Sequence, residues 1–204
     1  MSFYQRRVLP RLLHMAMRQE ALRPFRERVT GAAEGRVLEI GVGSGLNLPL
    51  YRAKVRTVIG LEPSPELLQM AHERAATASV PIELLEASAE AVPLDSGSID
   101  TVVTTWTLCT IPDAKRALTE MRRVLRPGGK LLFVEHGRAP EPGVARWQDR
   151  LDPLWHRAAG GCHLNRKIDE LITTSGFRID KLANARLPGP RTHTFLYEGQ
   201  GRLA

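Results

Sequence analysis

The sequence predicts an α/β protein in which seven strands form a mostly parallel sheet with helices on both faces. Short apolar runs alternate with segments of helical periodicity, as expected for successive βαβ units. The first apolar run ends in a glycine-rich segment, and the second ends in an acidic residue. Strands are predicted at residues 36–40, 57–61, 82–86, 99–104, 130–135, 177–182 and 193–198. Helices are predicted at residues 65–77, 114–125 and 166–175.

The N-terminal segment is predicted to be a separate helical cap over residues 1–34. Apolar residues recur near the 3.6-residue period across 3–29, and Pro10 and Pro24 should kink or split the helix before a loop at 30–35. Residues 1–30 carry seven arginines and two glutamates. Two placements are open for this basic segment: it caps the ligand site, or it makes peripheral contact with an anionic membrane surface.

Residues 35–204 are then the main domain, and residues 139–165 fit its alternating pattern poorly. This segment contains three prolines, two tryptophans and a Gly-Gly-Cys-His run. Long insertions in compact domains often form lids or binding loops. We therefore expect an inserted lid or substrate segment with a helix around residues 147–158.

Composition excludes several classes of protein. The 204 residues, 43% of them hydrophobic, suffice for one domain, and no apolar run approaches the roughly 20 residues of a membrane span. The chain also lacks the apolar core of a signal peptide, so we predict a cytoplasmic location. Two cysteines fit a reducing compartment, and no Cys/His cluster has the spacing of a structural zinc site, so no metal is predicted.

The first glycine-rich segment has the pattern of a ligand-binding turn. Gly41, Gly43 and Gly45 follow the first strand at alternate positions, and Leu46 stands where the full dinucleotide-binding pattern would have its last glycine. Glu39 precedes the first glycine and would place a carboxylate beside the ligand. A carboxylate there would repel a pyrophosphate and attract a cationic amino acid, which disfavours a nicotinamide dinucleotide.

Two further acidic segments follow the next two strands. Glu62 lies at the predicted end of the second strand, where a carboxylate can accept hydrogen bonds from both ribose hydroxyls of an adenosine. After the third strand, Ala89 and the neighbouring amides could bracket an adenine ring, and Glu90 could accept from its exocyclic amine.

These motifs resemble those of the class I S-adenosylmethionine-dependent methyltransferases. The match spans roughly residues 35–136 and includes Glu39 with its three glycines, Glu62, Asp100 and the turn at 125–130. It implies a Rossmann-like sheet and S-adenosylmethionine as cofactor. The predicted cofactor site comprises Glu39, Gly41, Gly43, Gly45, Asn47, Glu62, Pro63, Ala89, Glu90 and Thr105.

A narrower resemblance, to the methyltransferase-like alkyl thiol S-methyltransferases, extends over most of residues 35–198. It rests on segments 107–109, 133–136, 151–156 and 161–166. The animal members begin with a hydrophobic anchor, whereas this chain begins with a basic amphipathic segment. The predicted substrate contacts are Trp106, Cys109, His136, Trp155, His156, Cys162 and His163.

The predicted function is methyl transfer from S-adenosylmethionine to a small-molecule acceptor, with a thiol favoured. A quinone carbon or a phospholipid amine are the alternative acceptors, and an RNA-binding or non-catalytic cofactor-binding module is the alternative of another class. No recognisable RNA-binding motif accompanies the basic residues, so no nucleic-acid partner is expected. His136 could act as a general base, or it could serve a structural purpose by bonding to the insertion. The oligomeric state is left open.

Overall fold

A seven-stranded sheet forms the centre of the molecule. The computed structural model describes residues 8–204, so residues 3–7 of the predicted N-terminal helix lie outside the described part. The strand order is β3-β2-β1-β4-β5-β7-β6, and only β7 runs antiparallel to its neighbours. The strands are β1 (Gly35–Ile40), β2 (Val55–Leu61), β3 (Ile82–Leu85), β4 (Ile99–Thr105), β5 (Leu125–His136), β6 (Phe177–Arg186) and β7 (Phe195–Leu203).

The helices cover the sheet on both faces, so the predicted α/β class and the predicted seven strands are confirmed. Apolar side chains form one buried cluster on each face of the sheet, so central strands such as β4 are buried along their whole length. The helices are α1 (Leu9–Met17), α2 (Arg23–Ala32), α3 (Pro65–Ala75), α4 (Ala114–Val124), α5 (Pro142–Ala158) and α6 (Ile168–Thr174).

The two N-terminal prolines begin helices. Pro10 lies in the first turn of α1 and Pro24 in the first turn of α2, where the missing N–H needs no partner within the helix. The N-terminal segment is therefore split into two helices, which was one of the two outcomes predicted for its prolines. The predicted loop at 30–35 is shortened to residues 33–34, because α2 continues to Ala32 and β1 begins at Gly35.

The last two strands are longer than predicted. They form an antiparallel pair that also joins β7 to β5, so backbone pairing continues beyond the apolar runs from which the strands were predicted. Gly199 lies where an added Cβ would approach the Lys181 carbonyl oxygen to 2.5 Å. Such crowding explains a glycine in the interior of a strand.

The inserted helix α5 begins five residues earlier than predicted. Its buried Gln148 accepts from the Ala139 amide and donates to the carbonyl oxygens of Gly137 and Thr192. These bonds fix the helix to the end of β5, although Trp147 on its outer side is exposed. None of the helices in residues 8–204 combines the length and apolar character that crossing a bilayer requires.

Candidate active site

A large cavity opens at the carboxyl ends of β1, β2 and β4. Its volume is about 1280 Å³, which exceeds the roughly 300–1,000 Å³ typical of pockets for one small ligand. The strand order reverses between β1 and β4, so the loops that follow these strands diverge and leave a crevice there. The cavity therefore has room for two small molecules at the expected position in the sheet.

The glycine-rich turn after β1 forms one wall of the cavity. Gly41, Gly43 and Gly45 have φ angles of +65°, +56° and +79°, a region that residues with a Cβ rarely adopt. Gly41 and Gly43 line the cavity, whereas Gly45 packs against α3, where an added Cβ would lie 3.0 Å from the Ala71 Cα atom. The first two glycines thus form part of the cavity wall, and the third allows close packing against α3.

Glu62 faces the same cavity from the end of β2. Its Oε2 atom accepts from the Gly43 amide and its Oε1 atom from the Ser64 amide, both at 3.0 Å. Burial raises the pKa of this carboxyl, and the two amide bonds oppose the rise. Each oxygen keeps a second lone pair, so the carboxylate can still accept from two hydroxyls of a bound ribose.

Glu39 lies behind the glycine-rich turn and does not line the cavity. It is 1% exposed and accepts from Asn47 Nδ2 and the Tyr51 hydroxyl, each at 2.8 Å. Burial raises its pKa to about 7, while these two bonds and the Arg26 charge oppose the rise. The structure thus places Glu39 and Asn47 behind the turn, and the contact of the Glu39 carboxylate with the ligand stays a prediction.

Of the two residues predicted to contact the cofactor after β3, one lines the cavity and the other does not. Ala89 lines the cavity, as do Pro63 and Thr105. Glu90 does not, because its Oε1 atom accepts from the Asp113 amide at 2.7 Å, immediately before α4. The structure thus places Glu90 beside the start of this helix, and its contact with an adenine amine stays a prediction.

Helix α1 forms a further wall of the cavity. Leu9, Leu13 and Met17 supply apolar walls, and His14 lies between them and the glycine-rich turn. The His14 Nδ1 atom is 2.7 Å from the Ser44 hydroxyl. Sequence reasoning did not identify these residues, because a basic amphipathic helix gives no signal for the surface it covers.

Two of the predicted substrate residues, Trp106 and His156, line the cavity. Trp106 has a φ of +52°, the one positive φ of a non-glycine residue among residues 8–204, and such strain is often found at functional sites. The Arg26 guanidinium, which also lines the cavity, lies 4.8 Å from the centre of the Trp106 ring. This cation gives the wall a positive charge beside an aromatic face.

Three other predicted residues form a cluster beside the cavity. Ligand atoms of Cys109, His136 and Cys162 all lie within 4.8 Å of one another. The Cys109 thiol, the His136 ring and the indole of Trp155 favour the Cys162 thiolate, so the pKa of Cys162 falls well below its usual value. The cysteines lie 53 positions apart in the chain, which is why no sequence motif revealed the cluster.

The remaining predicted residues surround this cluster without lining the cavity. His163 stacks on His156 with ring centres 4.3 Å apart, and its Nδ1 atom lies 2.9 Å from Asp152 Oδ2. Trp155 is partly exposed and packs edge-on against His193 with ring centres 4.4 Å apart. These rings tie the insertion together and bring its Gly161 to the cavity wall.

Comparison with known proteins agrees with this geometry. Residues 38–133 match the family model described as a methyltransferase domain. A human thiol S-methyltransferase, TMT1B, is 36% identical over 168 residues, which cover 79% of this chain and 67% of the relative. The chain belongs to the class I S-adenosylmethionine-dependent methyltransferases.

Two other relatives are named for a thiol and for a phospholipid acceptor. Human thiol S-methyltransferase TMT1A is 33% identical over 156 residues, covering 74% of this chain and 64% of its own length. The phosphatidylethanolamine N-methyltransferase of Cereibacter sphaeroides is 37% identical over 134 residues, covering 61% of this chain and 64% of the relative. The chain thus spans just under two thirds of the length of these two relatives.

Solved structures of other methyltransferases share the fold. A S-adenosylmethionine-dependent methyltransferase of Leishmania major superposes with a TM-score of 0.72 at 20% identity, covering 98% of this chain and 80% of that one. A second, from Methanosarcina mazei, gives a TM-score of 0.66 at 22% identity, with 81% and 91% covered. The Rossmann-like architecture of the methyltransferase class is confirmed.

The Glu62 carboxylate should determine much of the affinity for the cofactor. We expect Glu62→Gln to weaken binding of S-adenosylhomocysteine by roughly 10- to 100-fold, because one hydrogen bond to a charged acceptor contributes about 1.5–3 kcal/mol. Isothermal titration calorimetry measures this change. Glu73→Gln, an exposed change on α3, is the matched control, and equal affinities of the two variants would contradict the assigned role.

Proposed function

We propose that this methyltransferase methylates the sulfur of small apolar thiols. The observation that carries the proposal is the cavity itself, which is larger than one cofactor needs and has an apolar roof from Leu9, Leu13 and Met17. Ile111 and Pro112 continue the apolar wall below. The similarity to thiol S-methyltransferases over most of the chain supports the same acceptor class.

The cofactor is proposed to lie across the glycine-rich turn. Gly41 and Gly43 would allow its amino-acid part to approach the backbone, Glu62 would accept from its ribose, and Ala89 would contact its adenine. When bound, S-adenosylmethionine supplies a methyl carbon on a sulfonium, which a thiolate sulfur can attack in line to give a thioether and S-adenosylhomocysteine. The residues of the chain then have to hold the two reactants in line and exclude water.

Two features of the chain would assist methyl transfer: a cationic side chain at the cavity wall and segments that exclude water. Arg26 lines the cavity beside Trp106 and would favour an anionic acceptor. An unperturbed thiol, with a pKa near 8.5, is already ionised to a few per cent at neutral pH, so a dedicated base is not required. Helix α1 and the insertion 139–165 are proposed to act as cap and lid, because a dry site accelerates the reaction of opposite charges.

A phospholipid amine is the second candidate acceptor, favoured by the similarity to the phosphatidylethanolamine N-methyltransferase. An amine acceptor must lose a proton before it attacks, so it would need a base at the cavity wall. His14 and His156 line the cavity. Both ring nitrogens of His14 contact neighbours, Nδ1 the Ser44 hydroxyl and Nε2 the Arg74 guanidinium, whereas His156 contacts the Gly161 carbonyl oxygen through Nδ1.

A matched acceptor panel tests the proposal. The enzyme is incubated with S-adenosylmethionine that carries a deuterated methyl group and with hexanethiol, hexylamine, a short-chain phosphatidylethanolamine or a hydroquinone. We expect the label in methyl hexyl sulfide and a rate at least about tenfold above that with the amine of equal length. Label found only in the amine or the quinone would contradict the proposal.

A further inference from the structure

A cluster of soft metal ligands lies where the insertion meets the sheet. Cys109 follows β4, His136 is the last residue of β5, and Cys162 follows α5. One ligand atom from each lies within 4.8 Å of the other two, and the Cys162 Sγ atom is 3.9 Å from His136 Nδ1. Two sulfur atoms and one nitrogen atom from three separate segments therefore lie close together.

The sulfur atoms of this cluster make long contacts within the protein, and one nitrogen of its histidine has no partner among the described residues. His136 is 7% exposed, and its Nε2 atom is buried without a hydrogen-bond partner among residues 8–204. The contacts of Cys109 Sγ with the Trp106 carbonyl, at 3.6 Å, and of Cys162 Sγ with the His163 carbonyl, at 3.9 Å, are long. The Nδ1 atom of His136, which is the nitrogen that faces Cys162, and the two sulfurs can therefore take a metal ion as a further partner.

We propose that Cys109, His136 and Cys162 bind one Zn²⁺ ion whose fourth position takes the sulfur of the acceptor thiol. Two thiolates and one imidazole form a set that zinc prefers, and catalytic zinc sites keep one position open beyond three protein ligands. Tetrahedral zinc with its usual bond lengths would place the ligand atoms about 3.6–3.8 Å apart. The cluster would need only a small contraction to reach that geometry.

The backbone around the cluster is already held in place. The His163 amide donates to the Cys109 carbonyl at 2.8 Å, which ties the two cysteine segments together. Arg166 Nη1 donates to the carbonyl oxygens of Leu108 and Ile111 on both sides of Cys109. A site whose ligands are positioned before the ion arrives loses little conformational entropy on binding.

The cluster also borders the cavity. Thr110 follows Cys109 in the chain and Gly161 precedes Cys162, and both line the cavity wall. An added Cβ on Gly161 would lie 3.3 Å from the Thr110 carbonyl oxygen, so the two cysteine segments converge there. An acceptor placed under the α1 roof would therefore lie next to the metal ligands.

The role of such an ion rests on the proposed thiol acceptor. A thiol that coordinates zinc releases its proton, because a metal-bound thiol is deprotonated outright. Its sulfur then forms the new bond to the methyl carbon, the bond from that carbon to the sulfonium breaks, and the electron pair stays on the sulfur of S-adenosylhomocysteine. The neutral thioether product is a weaker ligand and leaves. His136 is a metal ligand in this scheme and not a general base.

Cobalt titration of the reduced protein tests the site without cofactor or acceptor. We expect one Co²⁺ per chain, with sulfur-to-cobalt charge-transfer absorption and the intense visible bands of tetrahedral coordination, and displacement by Zn²⁺. Cys162→Ser should lose most of the charge-transfer band and bind Co²⁺ at least about 100-fold more weakly. His72→Gln, an exposed histidine on α3, is the control and should behave as wild type.

Two results would overturn the site. One is wild-type protein without charge-transfer absorption at stoichiometric Co²⁺, or with Cys109 and Cys162 joined as a disulfide under reducing conditions. The other is a Cys162→Ser variant that binds Co²⁺ as tightly as wild type. If that variant does not fold, zinc-edge X-ray absorption of the wild type decides, with two sulfur ligands and one nitrogen expected from the protein.

Adding hexanethiol to the cobalt protein tests the fourth position separately. We expect a stronger charge-transfer band, and a loss of thiol methylation when the metal is removed by a chelator and its return with Zn²⁺. Undiminished methylation by metal-free enzyme would overturn the role in acceptor binding. Metal binding without any thioether product would refute the proposed function and the coordinated acceptor, while the metal site itself would stand.

Discussion

Gly43→Asp is expected to weaken binding of S-adenosylhomocysteine on the order of 1,000-fold. The Gly43 Cα lies at the cavity wall with φ at +56°, and an added Cβ would project into open space with no atom nearer than 3.9 Å. The new carboxylate would occupy the space proposed for the cofactor and would lie close to Glu62, which accepts from the Gly43 amide. An uncompensated buried charge costs about 3–5 kcal/mol.

The matched control for this change is Gly43→Ala. Its methyl group also faces open space, so we expect affinity within about tenfold of wild type and a loss of stability of about 1–2 kcal/mol from the left-handed φ. Titration calorimetry and thermal unfolding measure the two quantities. Similar binding by the Asp and Ala variants would show that the cofactor does not cross this turn.

Glu39 is expected to make stability fall as pH rises. Burial raises its pKa in the folded chain to about 7, from 4.5 for the exposed group. The folded state therefore holds the proton more tightly than the unfolded state. The stabilisation that comes from this proton is fully present below about pH 4.5 and is lost as pH rises through 7. The linkage corresponds to a loss of up to about 3 kcal/mol over this window.

Glu39→Gln removes this titration while keeping a polar side chain of the same length. Urea unfolding of both proteins between pH 5 and 8 should show the variant gaining up to about 3 kcal/mol relative to wild type as pH rises. The buried Glu135, whose pKa burial also raises to about 7, is present in both proteins and cancels in the difference. If the free energies of unfolding of the two proteins changed in parallel with pH, the burial of a titrating carboxyl at position 39 would be contradicted.

The parts of the site that follow directly from strand ends could be predicted from sequence. Gly41, Gly43 and Glu62 immediately follow or end apolar strands, and parallel strands bring their carboxyl ends to one edge. The position of Glu39 could not be predicted in this way. The last four residues of β1 are all buried, so alternation along the strand does not reveal which face a side chain takes.

The parts that depend on contacts between distant segments could not be predicted. His14 reaches Ser44 only because α1 folds over the glycine-rich turn. Cys109, His136 and Cys162 come from three elements, and their spacing in the chain carries no periodic signal. The bond of Glu90 to the start of α4 could not be predicted for a related reason, since the backbone amide that binds it lies 23 positions later in the chain.

Calorimetric titration of the intact, folded chain with S-adenosylhomocysteine tests the central claim most directly. The account predicts binding of one molecule per chain, with a negative heat-capacity change from the apolar surface that α1 and the cavity walls bury. An absence of binding heat at several temperatures, from protein whose circular dichroism shows it to be folded, would contradict the claim that this cavity is the cofactor site.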